Sequence, residues 1–259
     1  ESYLGRVNYS YKGKYLLTAS FRADGSSRYS AGNKWGYFPS GALAWRVSEE
    51  GFMKKIPFIS DLKVRVGYGE TGSQAINPYA TLNQLNSGKT VFGDAQYTTY
   101  APGTRLPGNL KWETTAQTDV GLDASVWNNR VRVTADYYVK TTRDLLNTVQ
   151  LPSSLGFTST IQNIGSIQNK GFEFSVDANV LTGAFRWDVG GNIAFNRNRV
   201  LKLYNGQDVL GSAINITVTN DFINILREGQ PVGAFYGFVE KGYNEQGKSV
   251  YEDLNADGA

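Results

Sequence analysis

The chain has 259 residues, with Lys+Arg 26 against Asp+Glu 23 for a formal net charge of +3, and it carries no cysteine and no histidine. That excludes disulfide scaffolds, thiolate or imidazole metal sites, and every catalytic pair that needs an imidazole. The even charge balance does not describe a nucleic-acid binder. The longest unbroken apolar run, residues 42–45, is far shorter than the ~20 residues of a membrane helix. A transmembrane β-barrel, whose strands need only every second side chain apolar, stays open.

Period two runs through the chain and predicts eight strands, at about 2–11, 15–24, 35–47, 62–69, 115–126, 131–141, 170–181 and 185–197. In the first, Tyr3, Gly5, Val7, Tyr9 and Tyr11 alternate with Arg6, Asn8 and Ser10. In the second, Tyr15, Leu17, Ala19 and Phe21 alternate with Thr18, Ser20 and Arg22. The pattern continues through Leu62, Val64 and Val66 against Lys63 and Arg65, and through Val120 and Leu122 against Asp119 and Asp123. It ends with Val131, Val133 and Ala135 against Arg132 and Asp136, then Phe172, Phe174 and Val176 against Glu173 and Asp177, then Trp187 and Val189 against Arg186 and Asp188. A short helix is expected over 49–55. The connections alternate in length, tight at 12–14, 128–129 and 182–183 and long at 25–34, 73–112, 142–163 and 198–259. Brief turns at one end and extended loops at the other suit an outer-membrane barrel.

Two hairpins have readable registers. A turn at Asn128-Asn129 pairs Val126 with Val131 and sets Asp123 diagonal to Arg132. A turn at Thr182-Gly183 pairs Val180 with Phe185, lays Phe174 over Gly191, and opposes Asp177 to Asp188 with Arg186 available to bridge them. A soluble antiparallel sandwich shares this alternation. Strand length, loop asymmetry, and Tyr3, Tyr11, Tyr15, Trp35, Trp127 and Tyr137 near strand ends favour the barrel.

Several stretches then resemble one family. They are Arg22-Ala23-Asp24-Gly25-Ser26-Ser27-Arg28-Tyr29 with Trp35-Gly36-Tyr37-Phe38-Pro39-Ser40, and Ser60 to Arg65 with Gly69-Glu70-Thr71-Gly72. Asn109-Leu110-Lys111-Trp112-Glu113 follows, then Asp136-Tyr137-Tyr138, Asp144-Leu145-Leu146, Asn163-Ile164-Gly165 and Asn169-Lys170-Gly171-Phe172-Glu173. In order and spacing they resemble SusC/RagA-type TonB-dependent outer-membrane transporters over essentially the whole chain. The resemblance implies an all-β fold, here an antiparallel transmembrane β-barrel segment of about eight long strands. It also implies import of glycan or peptide nutrients, a SusD-like surface lipoprotein and the TonB complex as partners, and outer-membrane lipid around the wall. Family barrels have about 22 strands and a plug; the chain therefore reads as an internal piece of a barrel with the plug domain absent.

The site-like residues are few. Asp253, Asn255 and Asp257, followed by Gly258, fit the start of a calcium loop, D-x-[DN]-x-[DN]-G, whose alternate oxygens suit a hard cation. The resembling family has Gly where Ala256 stands, and the later acidic ligand of such a loop falls beyond Ala259. The bland reading is an Asx-turn cluster. Arg132, Asp136, Glu173, Asp177, Arg186 and Asp188 are expected on the interior face. Arg6, Arg22, Arg46 and Arg65 are expected there as well, lining a hydrated lumen or meeting a plug. Tyr79, Tyr97, Tyr100, Tyr204, Phe235 and Tyr236 in the long loops are candidates to stack on sugars. Glu49-Glu50 and Asp119/Asp123 are paired carboxylates without the spacing of glycosidase work, and no enzyme is expected. Residues 67–72 hold three glycines but lack the Lys-Ser/Thr of a phosphate loop, so they read as a strand end entering a loop. The competing function is a soluble secreted β-sandwich that binds carbohydrate or acts as an adhesin.

Overall fold

A computed structural model describes residues 1–252 apart from Ala75, Thr104, Ser212, Thr217 and Val218. Eight strands form one sheet in chain order: β1 (Ser2–Tyr11), β2 (Tyr15–Gly25), β3 (Trp35–Arg46), β4 (Ile59–Ser73), β5 (Glu113–Val126), β6 (Val131–Arg143), β7 (Ser166–Thr182) and β8 (Arg186–Lys202). Each is antiparallel to its neighbour, and β1 and β8 are the two edges of an open sheet. The strands run 10 to 17 residues, up to well beyond the ~9–11 that cross a bilayer.

The register turns alternation into two faces. One row across the sheet is Tyr11, Tyr15, Trp45, Val64, Leu122, Ala135, Phe174 and Ile193. The adjacent row is Ser10, Leu16, Ala44, Arg65, Gly121, Asp136, Glu173 and Ala194. Because successive side chains point to opposite faces, the first row lies on the apolar side and the second on the polar side. The turns follow local chemistry. Lys12 and Gly13 take positive φ between β1 and β2, and Asn128 and Asn129 do so between β5 and β6, as a type I′ hairpin requires. Val126 there stands opposite Val131, and Ser125 opposite Arg132.

Several sequence expectations change. First, the β7–β8 register is displaced by two residues: Phe174 pairs with Ile193, Asp177 with Gly190 and Asp188 with Asn179. Residues 183–185 form the connection, and a bulge falls between Asn179 and Leu181. A two-residue shift keeps both faces intact, so binary pattern cannot detect it, while it removes the like-charge pair of Asp177 and Asp188. Second, β4, β7 and β8 outrun 62–69, 170–181 and 185–197, because backbone pairing continues where polar residues blur the alternation. The glycines of 67–72 thus lie within β4. Third, 49–55 is two 3₁₀ turns, Val47–Glu49 and Met53–Lys55. Fourth, the long connections are built. Leu85–Phe92 pairs with Ala95–Pro102, and Leu146–Gln150 with Ser159–Asn163, which in turn lies parallel to Arg105–Leu106. After β8 come Val209–Leu210, Asn224–Leu226 and Ala234–Phe235 in a small sheet, with hairpins Ala213–Ile216/Thr219–Phe222 and Glu240–Tyr243/Ser249–Tyr251. Tyr137 lies mid-strand in β6, away from any end.

The buried core does not run across the sheet but gathers at one end of it, where Phe38 of β3 meets the loops. Tyr29, Phe38, Ile76, Ala80, Leu110 and Trp112 form it at the long-loop end, with Leu146 and Ile161 packed against it.

Candidate functional site: the polar wall and its rim

The polar face centres on a charge network across three strands. Arg65 of β4 donates from Nε to Asp123 Oδ2 at 2.8 Å and from Nη2 to Asp123 Oδ1 and Asp136 Oδ1, both at 3.0 Å. Lys63 Nζ lies 2.8 Å from Asp123 Oδ2. Asp123 is thus held by β4 cations, and not by the diagonal Arg132. Glycines seat the other carboxylates. A Cβ at Gly67 would lie 2.7 Å from Asp119 Oδ2, and one at Gly190 would lie 2.7 Å from Asp177 Oδ1. Gly121 likewise leaves room for Asp136 and Arg65, so these side chains lie down across the ladder. A hollow of about 480 Å³ opens beside Gly67 and Asp119, lined also by Thr18, Ser40, Thr115 and Gln117.

The interior candidates share this face. Asp136 stands opposite Glu173 and Arg132 opposite Asp177, with Asp188 and Arg186 in step on β8. Arg22 bonds Asp24 at 2.8 Å and Arg46 reaches Glu49 and Asp61 at 3.5 Å. The aromatic candidates are not gathered into one platform. Tyr97 and Tyr100, three apart on one strand, point to opposite faces of their hairpin, where Tyr97 meets Phe92 edge-on at 6.3 Å. Phe235 is 94% exposed on the separate small sheet beyond β8. Asp253, Asn255 and Asp257 lie outside the described residues.

The distinctive sequence stretches meet at the rim. Trp112 packs on Tyr29 at 4.9 Å and on Phe38 at 5.6 Å, joining the 22–40 and 109–113 stretches. Tyr29 Oη donates to Ser73 O at 2.7 Å, and burial pushes its phenol up to about 12. Ser30 stitches the same loops, donating to Gly108 O and accepting from Leu110 N at 3.0 Å. Asn163 does the equivalent for the third and fourth stretches. Its Nδ2 donates to Lys111 O at 2.7 Å and Asp144 O at 2.9 Å, and its Oδ1 accepts from Lys111 N at 2.9 Å. Sequence reading singled out these stretches without seeing that they clamp the loops to the wall.

The opposite end is tied by Glu50, whose partners the sequence did not show. It accepts from Lys14 Nζ at 2.9 Å, Tyr15 Oη at 2.8 Å and Trp45 Nε1 at 3.3 Å. The Lys14 and Tyr15 bonds hold its carboxyl below the usual range. On the apolar face Val66, Ile193 and Phe195 are open, Phe195 to 60%. Among the described residues no second layer covers this face, as a sandwich would demand. Aromatic pairs band both of its ends: Tyr3 on Trp35 at 5.9 Å at one, Tyr11 on Tyr15 at 6.5 Å and Phe58 on Trp127 at 5.1 Å at the other.

An antiparallel sheet with long strands, one bare apolar face between aromatic bands and one charged face is the wall of an outer-membrane β-barrel. The particular family follows from comparison: residues 2–258 match the model described as TonB dependent receptor-like, beta-barrel, and the chain belongs to that family. It is 41% identical to TonB-dependent receptor P3 of Formosa agariphila over 95% of this chain and 25% of that protein. It is 39% identical to TonB-dependent receptor SusC of Bacteroides thetaiotaomicron over 99% of this chain and 27% of that protein. The RagAB peptide importer in its open-open state superposes with a TM-score of 0.84 at 27% identity, covering 100% of this chain and 27% of that one. The chain spans about a quarter of the length of the curated relatives it matches.

Proposed function

We propose that this chain is a stretch of wall in a TonB-dependent transporter that carries glycan or peptide nutrients across the outer membrane by gated passage, without catalysis. The charged, glycine-smoothed face around Arg65, Asp123 and Asp136 carries the reading. It is a wet surface on a sheet whose other face is bare and apolar, as a hydrated lumen requires. The remaining strands of the intact receptor would pair with the edges at β1 and β8, since lipid does not tolerate open edges. A SusD-like surface lipoprotein would meet the long-loop end and the TonB complex would supply energy; kinship with SusC and likeness to the RagAB importer support both. The test is uptake of labelled oligosaccharides and peptides by cells carrying or lacking the full-length receptor, with and without a protonophore. Uptake of at least one class should need both the receptor and an energised membrane. Uptake of every class unchanged by its loss contradicts the reading.

Two finer assignments rest on residue chemistry alone. Asp253, Asn255 and Asp257 have the ligand order of a calcium loop. Titration calorimetry of the calcium-free intact receptor should give heat with calcium that Asp253→Ala abolishes; no heat contradicts the assignment. Tyr79, Tyr97, Tyr100, Tyr204, Phe235 and Tyr236 would contact sugar singly or in pairs, given their separate positions. Unchanged ligand affinity after their replacement in the intact receptor removes that role.

A further inference from the structure

The apolar face carries a shaped cleft among its bare side chains. A cleft of about 320 Å³ opens over two rows of outward side chains, with Tyr9, Leu17, Leu43 and Val66 in one and Tyr15 and Trp45 in the next. Two of its three rings, those of Tyr15 and Trp45, are fixed at their polar tips. Tyr15 Oη and Trp45 Nε1 both donate to the same oxygen of Glu50, whose other oxygen holds Lys14. Rings tied this way cannot fold over the cleft, so its Tyr15–Trp45 side is set before anything enters, and preorganisation lowers the ordering cost of an occupant.

The surroundings say what that occupant is. The cleft lies at the short-turn end, which faces the inner leaflet of the outer membrane in barrels of this design. Lysines crowd the same end: Lys12 in the β1–β2 turn, and Lys54 and Lys55 between β3 and β4. The neighbouring acids are already matched, Glu50 by Lys14 and both Glu49 and Asp61 by Arg46. Lys12 has its ammonium over the Tyr11 ring, and among the described residues neither it nor Lys54 nor Lys55 makes an ion pair. An apolar slot in the hydrocarbon beneath unmatched cations is complementary to a chain-bearing anion.

We propose that this cleft holds one acyl chain of a single glycerophospholipid of the inner leaflet, with its phosphate against Lys12 and the Lys54–Lys55 pair. The site rests on the reading that this face meets hydrocarbon. Glu50 is its positioning residue, acting through the two rings. The test is native mass spectrometry of the full-length receptor extracted from the outer membrane in mild detergent, with heat-modifiable migration as the check on folding. The unaltered receptor should keep one phospholipid after the loose lipid belt has been stripped. Leu43→Trp, which fills the slot, should lose it, as should the triple change K12E/K54E/K55E, whereas Val133→Trp on the same face but outside the cleft should keep it. Equal retention by all four folded proteins, or retention that survives either cleft or lysine change, overturns the site. A receptor that takes up no lipid belt at all contradicts instead the membrane-facing reading, so the two failures are separable.

Discussion

Tyr29 shows how much a single rim residue holds. Its ring packs on Trp112 and its hydroxyl closes on the end of β4 through Ser73 O. Tyr29→Phe removes one hydrogen bond and leaves the Ser73 carbonyl unmet, a loss of about 1 kcal/mol. The pH dependence has a definite sign. Burial pushes the folded phenol up to about 12, above the unfolded value near 10. Its contribution is therefore whole below pH 10 and lost as pH rises through 12. Thermal unfolding of intact receptor and variant, followed by heat-modifiable migration, should differ constantly up to pH 10, and the unaltered receptor should lose its advantage as pH rises from 10 towards 12; an advantage that stays constant to pH 12 contradicts the burial account. At this scale the sequence discloses which face a side chain takes, because parity alone decides it. It does not disclose partners. Asp123 finds Lys63 and Arg65 on β4 instead of Arg132 on β6, a choice among neighbours on both sides that no local pattern encodes. The partners of Glu50 and Asn163 were equally hidden, since each bonds segments brought together only by the folded sheet.

Strands were the most legible elements and their registers the least. Alternation exposes β1 and β2 to within a residue, and the short positive-φ turn at Lys12–Gly13 separates them. The β5–β6 hairpin was readable because Asn128-Asn129 commits to one turn type. The β7–β8 hairpin misled because Thr182-Gly183 also looks like a two-residue turn, while the chain uses three residues and a bulge. Charge is the physical discriminator, since the longer turn moves Asp188 away from Asp177 and places Gly190 beside that carboxylate. Paired cysteines test it in an intact receptor otherwise free of cysteine. Ser175→Cys with Asn192→Cys, directly opposed in the observed register, should cross-link under mild oxidation. Ser175→Cys with Gly190→Cys should cross-link much less, and the reverse preference contradicts the register. The hairpin within 73–112 escaped notice for a simpler reason: its strands are exposed on nearly every side chain, so no apolar period marks them, although Gly93 supplies its turn with positive φ.

For the whole molecule, hydrophobic burial does little of the organising within the sheet. The compact apolar core is a rim cluster that pins loops, while eight strands are joined by ladders and expose apolar side chains outward. Such a sheet is stable only where hydrocarbon covers that face, which couples its fold to its location. Family and fold class were legible because ordered motifs and period two span the chain; the edges at β1 and β8 carry no sequence mark that names what pairs with them. The central claim is that the apolar rows contact lipid and the Arg65 row borders water. It is tested most directly by spin labels placed one at a time from Val131 to Val139 on β6 of the intact receptor in bilayers. Oxygen collision rates should peak at 131, 133, 135, 137 and 139, and collisions with a water-soluble nickel chelate should peak at 132, 134, 136 and 138. Uniform rates, or oxygen peaks at Arg132, Thr134 and Asp136, would contradict the account.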